Sequence, residues 1–338
     1  MKKTGIIALT AIAVSLVLNW RVFEYWSASQ ILALPDCRFI LAGYTEYAFL
    51  PGLAHWLTGS WINLDHQSFR PIASIVHWSQ VWLLLHVGGW ACTLSVWALL
   101  ISCATLSGLF ACALTGNVKY GAAVAAIIAA VPSVYTFGEW LTWFPISDDL
   151  VAIALSLASL IAFTKNRCAL TAVLMLLACM TKEIAFGLPL AYYAIKPGAF
   201  PVKSVLIVLV VWIWRGIALH GHLESGALSL STILYFAKDM GPWFLMLAAC
   251  LVAFLIYVAY SFRNNREFRL LAGMTVGTLG PVVPAGITYY GGHHFLMFFM
   301  ATLPCLALVI ASQPRRPLDD RETLLHVPEQ IPQVAGVE

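Results

Sequence analysis

From Ile72 to Gly116 the chain runs for 45 residues without a Lys, Arg, Asp or Glu. A bilayer core about 30 Å thick is crossed by roughly 20 apolar residues in a helix. An α-helix also satisfies every backbone hydrogen bond within itself, as lipid requires. The run is too long for one such helix, so it reads as two. An interfacial helix extends to about Trp82, and a span follows from about His86 to Leu114. Trp56, Trp61, Trp78 and Trp82 fit an aromatic belt at the membrane boundary. The remainder is of the same kind: 61% of the 338 residues are hydrophobic and the mean hydropathy is +0.83. A soluble domain of this length does not hide so much apolar surface. The expected fold is therefore an all-α, polytopic membrane helix bundle of about eight to ten spans.

Taken in order, the first span is Ile6 to Trp20, read as uncleaved, with a cleaved signal ending near Ser27-Ala28-Ser29 as the alternative. A polar loop over residues 20–82 follows, within which Phe39 to Leu57 suits helices lying along the interface. Further spans are expected at Gly121–Phe137, Asp148–Thr164, Val205–Leu219, Trp243–Tyr260, Leu270–Tyr290 and Phe295–Ala311. Residues 1–312 read as one transmembrane domain and 313–338 as a polar cytoplasmic tail. Basic residues fix the orientation, because they collect on the cytoplasmic side. Lys2, Lys3, Lys119, Lys165, Arg167, Lys196, Lys203, Arg263, Arg266, Arg269, Arg315 and Arg316 share that side only if Cys168–Ile195 enters and leaves by the same face. That segment is then a hairpin or a pair of half-helices, each limb roughly 20 Å long. Its tip, Thr181-Lys182-Glu183, lies deep in the membrane, where charge marks a functional cavity. Both termini are expected in the cytoplasm of a multi-pass protein, in a bacterial inner membrane, with the active site periplasmic.

Charged residues make up only 10% of the chain, yet many gather on the expected outer side. The first loop holds Asp36, Glu46, His55, Asp65, His66, Arg70 and His77. Later come Glu139, Asp148, Asp149, Lys182, Glu183, Arg215, His293 and His294. There is no basic face for nucleic acid. The eight cysteines form no CxxC pair and seven lie in apolar runs, so no disulfide framework is implied. A cavity with carboxylates and cations, flanked by lipid, suits a lipid phosphate carrying a polar headgroup.

Four segments resemble those of the GT-C glycosyltransferases, notably the TMTC-like O-mannosyltransferase group. They are Asp65 to Ile72 with its Arg70-Pro71, Val131 to Leu150 with Glu139 and Asp148-Asp149, Met180-Thr181-Lys182-Glu183 through Leu188-Pro189-Leu190, and Gly292-His293-His294 to Leu303-Pro304. They fall in the family's order over about residues 30–310. His293-His294 replaces the usual acidic–basic pair, and no further domain follows the last span. The resemblance implies a GT-C bundle and a polyprenyl-phosphate-linked sugar donor. The acceptor is then a glycan, lipid or protein on the non-cytoplasmic face, where membrane lipid is also met. It further implies an Asp base soon after span one, a position that Asp36 matches.

The chemistry follows from that base. A carboxylate removes the acceptor hydroxyl's proton as the hydroxyl attacks the anomeric carbon. Cations stabilise the leaving phosphate, and direct displacement inverts the anomeric centre. Glu46 is the second base candidate, and a helix cap is the structural alternative for Asp36. Donor-phosphate candidates are Arg70, Lys182, His293 and His294, the histidines because they follow Gly-Gly at a helix start. Asp65, Glu139, Asp148, Asp149, Glu183 and Arg215 complete the expected cavity. Each has a plainer reading. Asp65 caps the helix after Arg70, Arg70 snorkels to the interface, Lys182 pairs internally with Glu183 or an Asp, and Arg215 reaches the headgroups. No cofactor is certain, while Asp36, Glu46, Asp65, Asp148 and Asp149 leave a divalent metal open. A flippase for a lipid-linked sugar is the alternative function. It needs the cations but not Asp36.

Overall fold

The computed structural model describes residues 2–20, 28–32, 37, 40–41, 49–58, 70–134, 146–218, 265–279 and 296–312. Regular structure among them is entirely helical. In chain order the helices are α1 (Lys2–Leu18), α2 (Ala28–Leu32), α3 (Phe49–Thr58), α4 (Pro71–His86), α5 (Gly89–Thr115), α6 (Val118–Val134), α7 (Ser147–Thr164), α8 (Cys168–Thr181), α9 (Leu188–Ile195), α10 (Ala199–Ala218), α11 (Arg266–Leu279) and α12 (Leu296–Ser312). A 3-10 turn, Glu183–Gly187, stands between α8 and α9. Among the described residues three helices, α5, α7 and α10, are long and apolar enough to cross a membrane. The expected span at Trp243–Tyr260 and the latter half of that at Leu270–Tyr290, residues 280–290, lie outside the described residues.

The uncharged run does divide in two, but not where its composition points. α4 continues a turn past Trp82 to His86, and the break falls at Val87–Gly88. Gly88 has φ +120°, a conformation that glycine adopts without a Cβ penalty. α4 begins at Pro71, whose missing N–H costs nothing at the first helical position. Its buried face carries Ser74, His77 and Gln80, whereas Trp82 and Leu85 are exposed. The buried face thus mixes polar groups with Ala73, Val81 and Leu84, and large apolar side chains face outward, an arrangement compatible with lipid outside. Gln80 Oε1 accepts from Ser95 Oγ at 2.7 Å and Cys92 Sγ at 3.1 Å, tying α4 to α5.

α5 is the central post, packed on α1, α4, α6, α7 and α12. Its crossing with α6 is close enough that a Cβ at Gly108 would collide with the Gly121 carbonyl, and the reverse holds at Gly121. Small residues at such crossings let backbones approach in lipid, where no hydrophobic force drives helices together. Polar ties add to the packing. Ser15 Oγ accepts from Trp97 Nε1 and Asn19 Nδ2, and Asn19 also donates to the Ala129 carbonyl at 2.8 Å. Cys103 Sγ donates to the Leu150 carbonyl. The seven described cysteines are all free thiols.

The segment from Cys168 to Ile195 folds back on itself. α8 leaves the Lys165-Asn166-Arg167 turn and packs along α7. Lys182 then takes an extended backbone, φ −160° and ψ 149°, and breaks the helix. The 3-10 turn and α9 return the chain to its starting level, where Lys196 Nζ donates to Asn166 Oδ1 at 3.2 Å. Near the same end, Tyr192 and Ser159 share a buried hydroxyl–hydroxyl bond, and the Tyr192 and Phe163 rings lie 5.0 Å apart. The outward limb of 14 residues is about 21 Å long. The 3-10 turn and α9 together cover about the same distance back. The paired-half-helix arrangement that the basic residues required is therefore the one found.

The return limb is pressed onto α11. A Cβ at Gly187 would overlap the Gly277 carbonyl, which is backbone and has no rotamer by which to retreat. Gly187→Ala is expected to lower stability by about 1–3 kcal/mol through overpacking. The test is thermal unfolding of the purified protein in detergent, and an unchanged Tm would contradict the described crossing.

Candidate functional site

At the turning point of the re-entrant segment, residues from four stretches of sequence meet. Arg70 precedes α4, Asp148 and Asp149 occupy the first turn of α7, Lys182 and Glu183 form the break after α8, and Arg215 lies in the last turn of α10. Each position has a local cause. Carboxylates in a helix's first turn interact favourably with its positive end. The break after Thr181 contains neither Gly nor Pro, so backbone preference does not impose it. Instead the extended Lys182 sends its side chain to α7, while the next residue, Glu183, turns toward α4 and α10.

The contacts define two linked groups. Lys182 Nζ lies 2.6 Å from Asp149 Oδ2 and 3.4 Å from Asp148 Oδ2. These three side chains are 7%, 2% and 5% exposed respectively. Glu183 is held by two guanidinium groups. Arg70 donates through Nε to Oε1 at 3.1 Å and through Nη2 to Oε2 at 2.8 Å, while Arg215 Nη1 donates to Oε1. The bidentate Arg70–Glu183 geometry is the strong form of such a pair. Arg70 Nη1 also lies 3.9 Å from Asp148 Oδ2, joining the groups. Three cations thus meet three carboxylates.

Of the candidate residues named from sequence, Arg70, Asp148, Asp149, Lys182, Glu183 and Arg215 are brought together. Asp36, Glu46, Asp65, Glu139, His293 and His294 lie outside the described residues. The geometry bears on the plainer readings. Arg70 and Arg215, whose plainer readings were interface contacts, both pair with Glu183. The internal pairing of Lys182 is real, and its partners are the two aspartates of α7 rather than the adjacent Glu183. The N-cap residue of α4 is Arg70, which makes no side-chain cap.

The sequence reading passed over Ser74 and Gln80. With His77 they form a buried polar stripe on α4, starting one turn after Arg70. Spacing of three to four residues between polar positions in an uncharged helix was the available signal.

A metal finds poor footing here. The two aspartates already face the Lys182 ammonium, and the described residues contain no grouping of three His, Cys, Asp or Glu able to hold an ion. The sequence alternatives for metal binding at Asp36, Glu46 and Asp65 lie outside the described residues. No family model matches the chain, and neither a curated protein nor a solved structure matches it.

Breaking a buried ion pair from one side leaves an uncompensated charge. Lys182→Met is therefore expected to lower stability by about 3–5 kcal/mol. Lys182→Met combined with Asp149→Asn recovers part of that loss. Unfolding midpoints of the single and double variants in detergent measure the coupling, and simple additivity would show that the pair contributes nothing.

Proposed function

We propose that the chain is a GT-C-type polytopic membrane glycosyltransferase of about eight to ten spans. It moves a sugar from a polyprenyl-phosphate donor to an envelope glycan or lipid-linked acceptor. The reaction takes place on the periplasmic face of a bacterial inner membrane, with both termini in the cytoplasm. One observation carries the reading. Three of the four sequence segments that resemble GT-C enzymes converge on one charged cluster, although Arg70, Asp148-Asp149 and Lys182-Glu183 are far apart in the chain. Charge concentrated at the turn of a re-entrant segment is costly in an apolar surrounding, and it marks a site rather than a scaffold.

The division of labour follows from exposure. Arg70 and Arg215 are the reachable cations and take the donor phosphate, together with His293 and His294. Lys182, less exposed and set against Asp148 and Asp149, fixes the end of α7 against the break and so places Glu183. Asp65 and Glu139 complete the cavity. The acceptor hydroxyl gives its proton to Asp36, with Glu46 as the second candidate, as its oxygen bonds to the anomeric carbon. The bond from that carbon to the phosphate oxygen breaks, and the electron pair stays on the phosphate. The anomeric centre is inverted.

Broken helices also line the substrate sites of transporters, so a flippase for a lipid-linked sugar is the second reading. Asp36→Asn separates them. In proteoliposomes supplied with polyprenyl-phosphate sugar, the variant is expected to lose about 10²–10⁴-fold in transfer rate while still binding donor. Undiminished transfer would remove Asp36 from the mechanism. Lipid movement across the bilayer with no glycosidic bond formed would favour the flippase.

A further inference from the structure

The opposite end of the re-entrant segment carries charge of a single sign. The end of α5, the α7–α8 turn, the α9–α10 turn and the start of α11 meet there around a cleft of about 250 Å³. Its lining combines apolar Leu114, Phe163 and Ile195 with Asn166, Lys196 and Arg266. The three polar side chains are exposed. Lys165 and Arg167 flank Asn166 in sequence, and Arg269 follows one turn after Arg266. Glu267 is the one carboxylate in these stretches. Among the described residues neither Lys196 nor Arg266 forms an ion pair, since the pairs found there belong to the charged cluster.

Cations near helix C-termini often serve the last free carbonyls. Here the backbone does much of that itself. Asn166 has φ +58°, its N–H bonds the Phe163 carbonyl at 2.9 Å, and the Arg167 N–H bonds the Ala162 carbonyl at 3.0 Å. That pattern is a Schellman closure of α7, with Asn in the left-handed position. It leaves the Asn166 side chain to accept from Lys196 Nζ at 3.2 Å across the base of the re-entrant segment. At the other side of the cleft, Asn265 Oδ1 accepts from the Glu267 N–H at 3.1 Å and so caps α11 without Arg266. The ammonium of Lys196 therefore keeps donors to spare, and the Arg266 guanidinium has no described partner.

An ammonium and a guanidinium beside apolar side chains call for an anion attached to something greasy. Both groups bind phosphate, one as a point charge and the other as a fork. α5 and α7, two of the helices able to cross a membrane, end at this level, at Thr115 and Thr164. Basic pockets between spans at a cytoplasmic surface take anionic phospholipid headgroups. At about 30 Å³ per water, the cleft has room for roughly eight, the scale of one glycerophosphate. We infer that this cleft binds the phosphate of an anionic phospholipid between Lys196 and Arg266, and that the lipid clasps the base of the re-entrant segment. Asn166 stands where that segment enters, Lys196 where it leaves, and Arg266 on the helix against which its return limb packs. One phosphate thus ties three elements whose far ends lead to the charged cluster. The inference rests on the membrane placement of α5 and α7 and is independent of glycosyl transfer.

The experiment measures lipid occupancy of the full-length protein in an uncharged detergent by native mass spectrometry. The probes are dioleoyl phosphatidylglycerol, dioleoyl phosphatidylcholine and glycerol 3-phosphate. Phosphatidylglycerol is expected to bind about tenfold or more tightly than either of the others. A basic residue near the membrane surface contributes about 1 kcal/mol toward anionic lipid, or about fivefold. Lys196→Gln with Arg266→Gln is therefore expected to weaken phosphatidylglycerol about 25-fold, whereas Lys3→Gln with Lys119→Gln, which removes the same charge outside the cleft, leaves it unchanged. Equal losses in the two double variants overturn the site in favour of diffuse surface charge. Phosphatidylcholine binding as tightly overturns the recognition of charge, and glycerol 3-phosphate binding as tightly overturns the lipid. Should the Lys196 variant fail to fold, Arg266→Gln alone is expected to weaken binding about fivefold, and no loss overturns the inference. A parent that ignores phosphatidylglycerol, beside an Asp319→Asn, Asp320→Asn and Glu322→Gln variant that binds it, overturns the inference in favour of the chain's own tail as occupant.

Discussion

The candidate site depends on one helix break, and the break depends on a lysine. Residues 168–181 have the composition to continue as a helix, and neither Gly nor Pro stops them. The helix ends because Lys182, in extended conformation, reaches Asp149 at 2.6 Å. An ammonium and a carboxylate in an apolar interior are stable only together. Once that pair has formed, the direction of the next residue is settled and Glu183 faces the arginines on the far side. Alternation of side-chain direction along an extended backbone thus assigns adjacent residues of opposite charge to separate partners. A continuous α-helix would have placed them only a fraction of a turn apart.

Much of this was legible from the sequence, though not through the usual helix signals. The re-entrant segment came from the distribution of Lys and Arg. Lys165, Arg167, Lys196 and Lys203 share a side only if the intervening chain turns back, and the Lys196–Asn166 contact closes that turn. The gathering of Arg70, Asp148, Asp149, Lys182, Glu183 and Arg215 was legible as well, because charge is so scarce here that each charged residue needs a partner. What the sequence withheld was the pairing. Lys182–Glu183 and Lys182–Asp were equally reasonable, and the choice turned on the backbone conformation of one residue. The polar stripe of α4 was hidden for another reason. Ser74 and Gln80 are uncharged and lie within an apolar run, where nothing in the sequence says which way they face; in this helix they face inward with His77.

Close backbone contacts give the site a stiff mount. The Gly187–Gly277 crossing fixes the return limb against α11 at the last residue of the 3-10 turn that carries Glu183. Asp148 and Asp149 belong to a helix anchored to α5 through the Cys103–Leu150 bond. The turn bearing Glu183 and the helix end bearing Asp148 and Asp149 are thus each held by a close contact. Arg70 stands on non-helical backbone just before α4.

The paired half-helices also bear on how the molecule is assembled. At about 21 Å each, neither limb matches the roughly 30 Å that an autonomous span needs. Neither limb therefore partitions into a bilayer on its own merits, and Lys182 and Glu183 at the joint add to the cost. In a bilayer the two limbs would enter together, with Asp149 of α7 as the counter-charge to Lys182 and Arg215 of α10 as a counter-charge to Glu183. Chain order matches that arrangement, since α7 is synthesised immediately before the hairpin and α10 immediately after it.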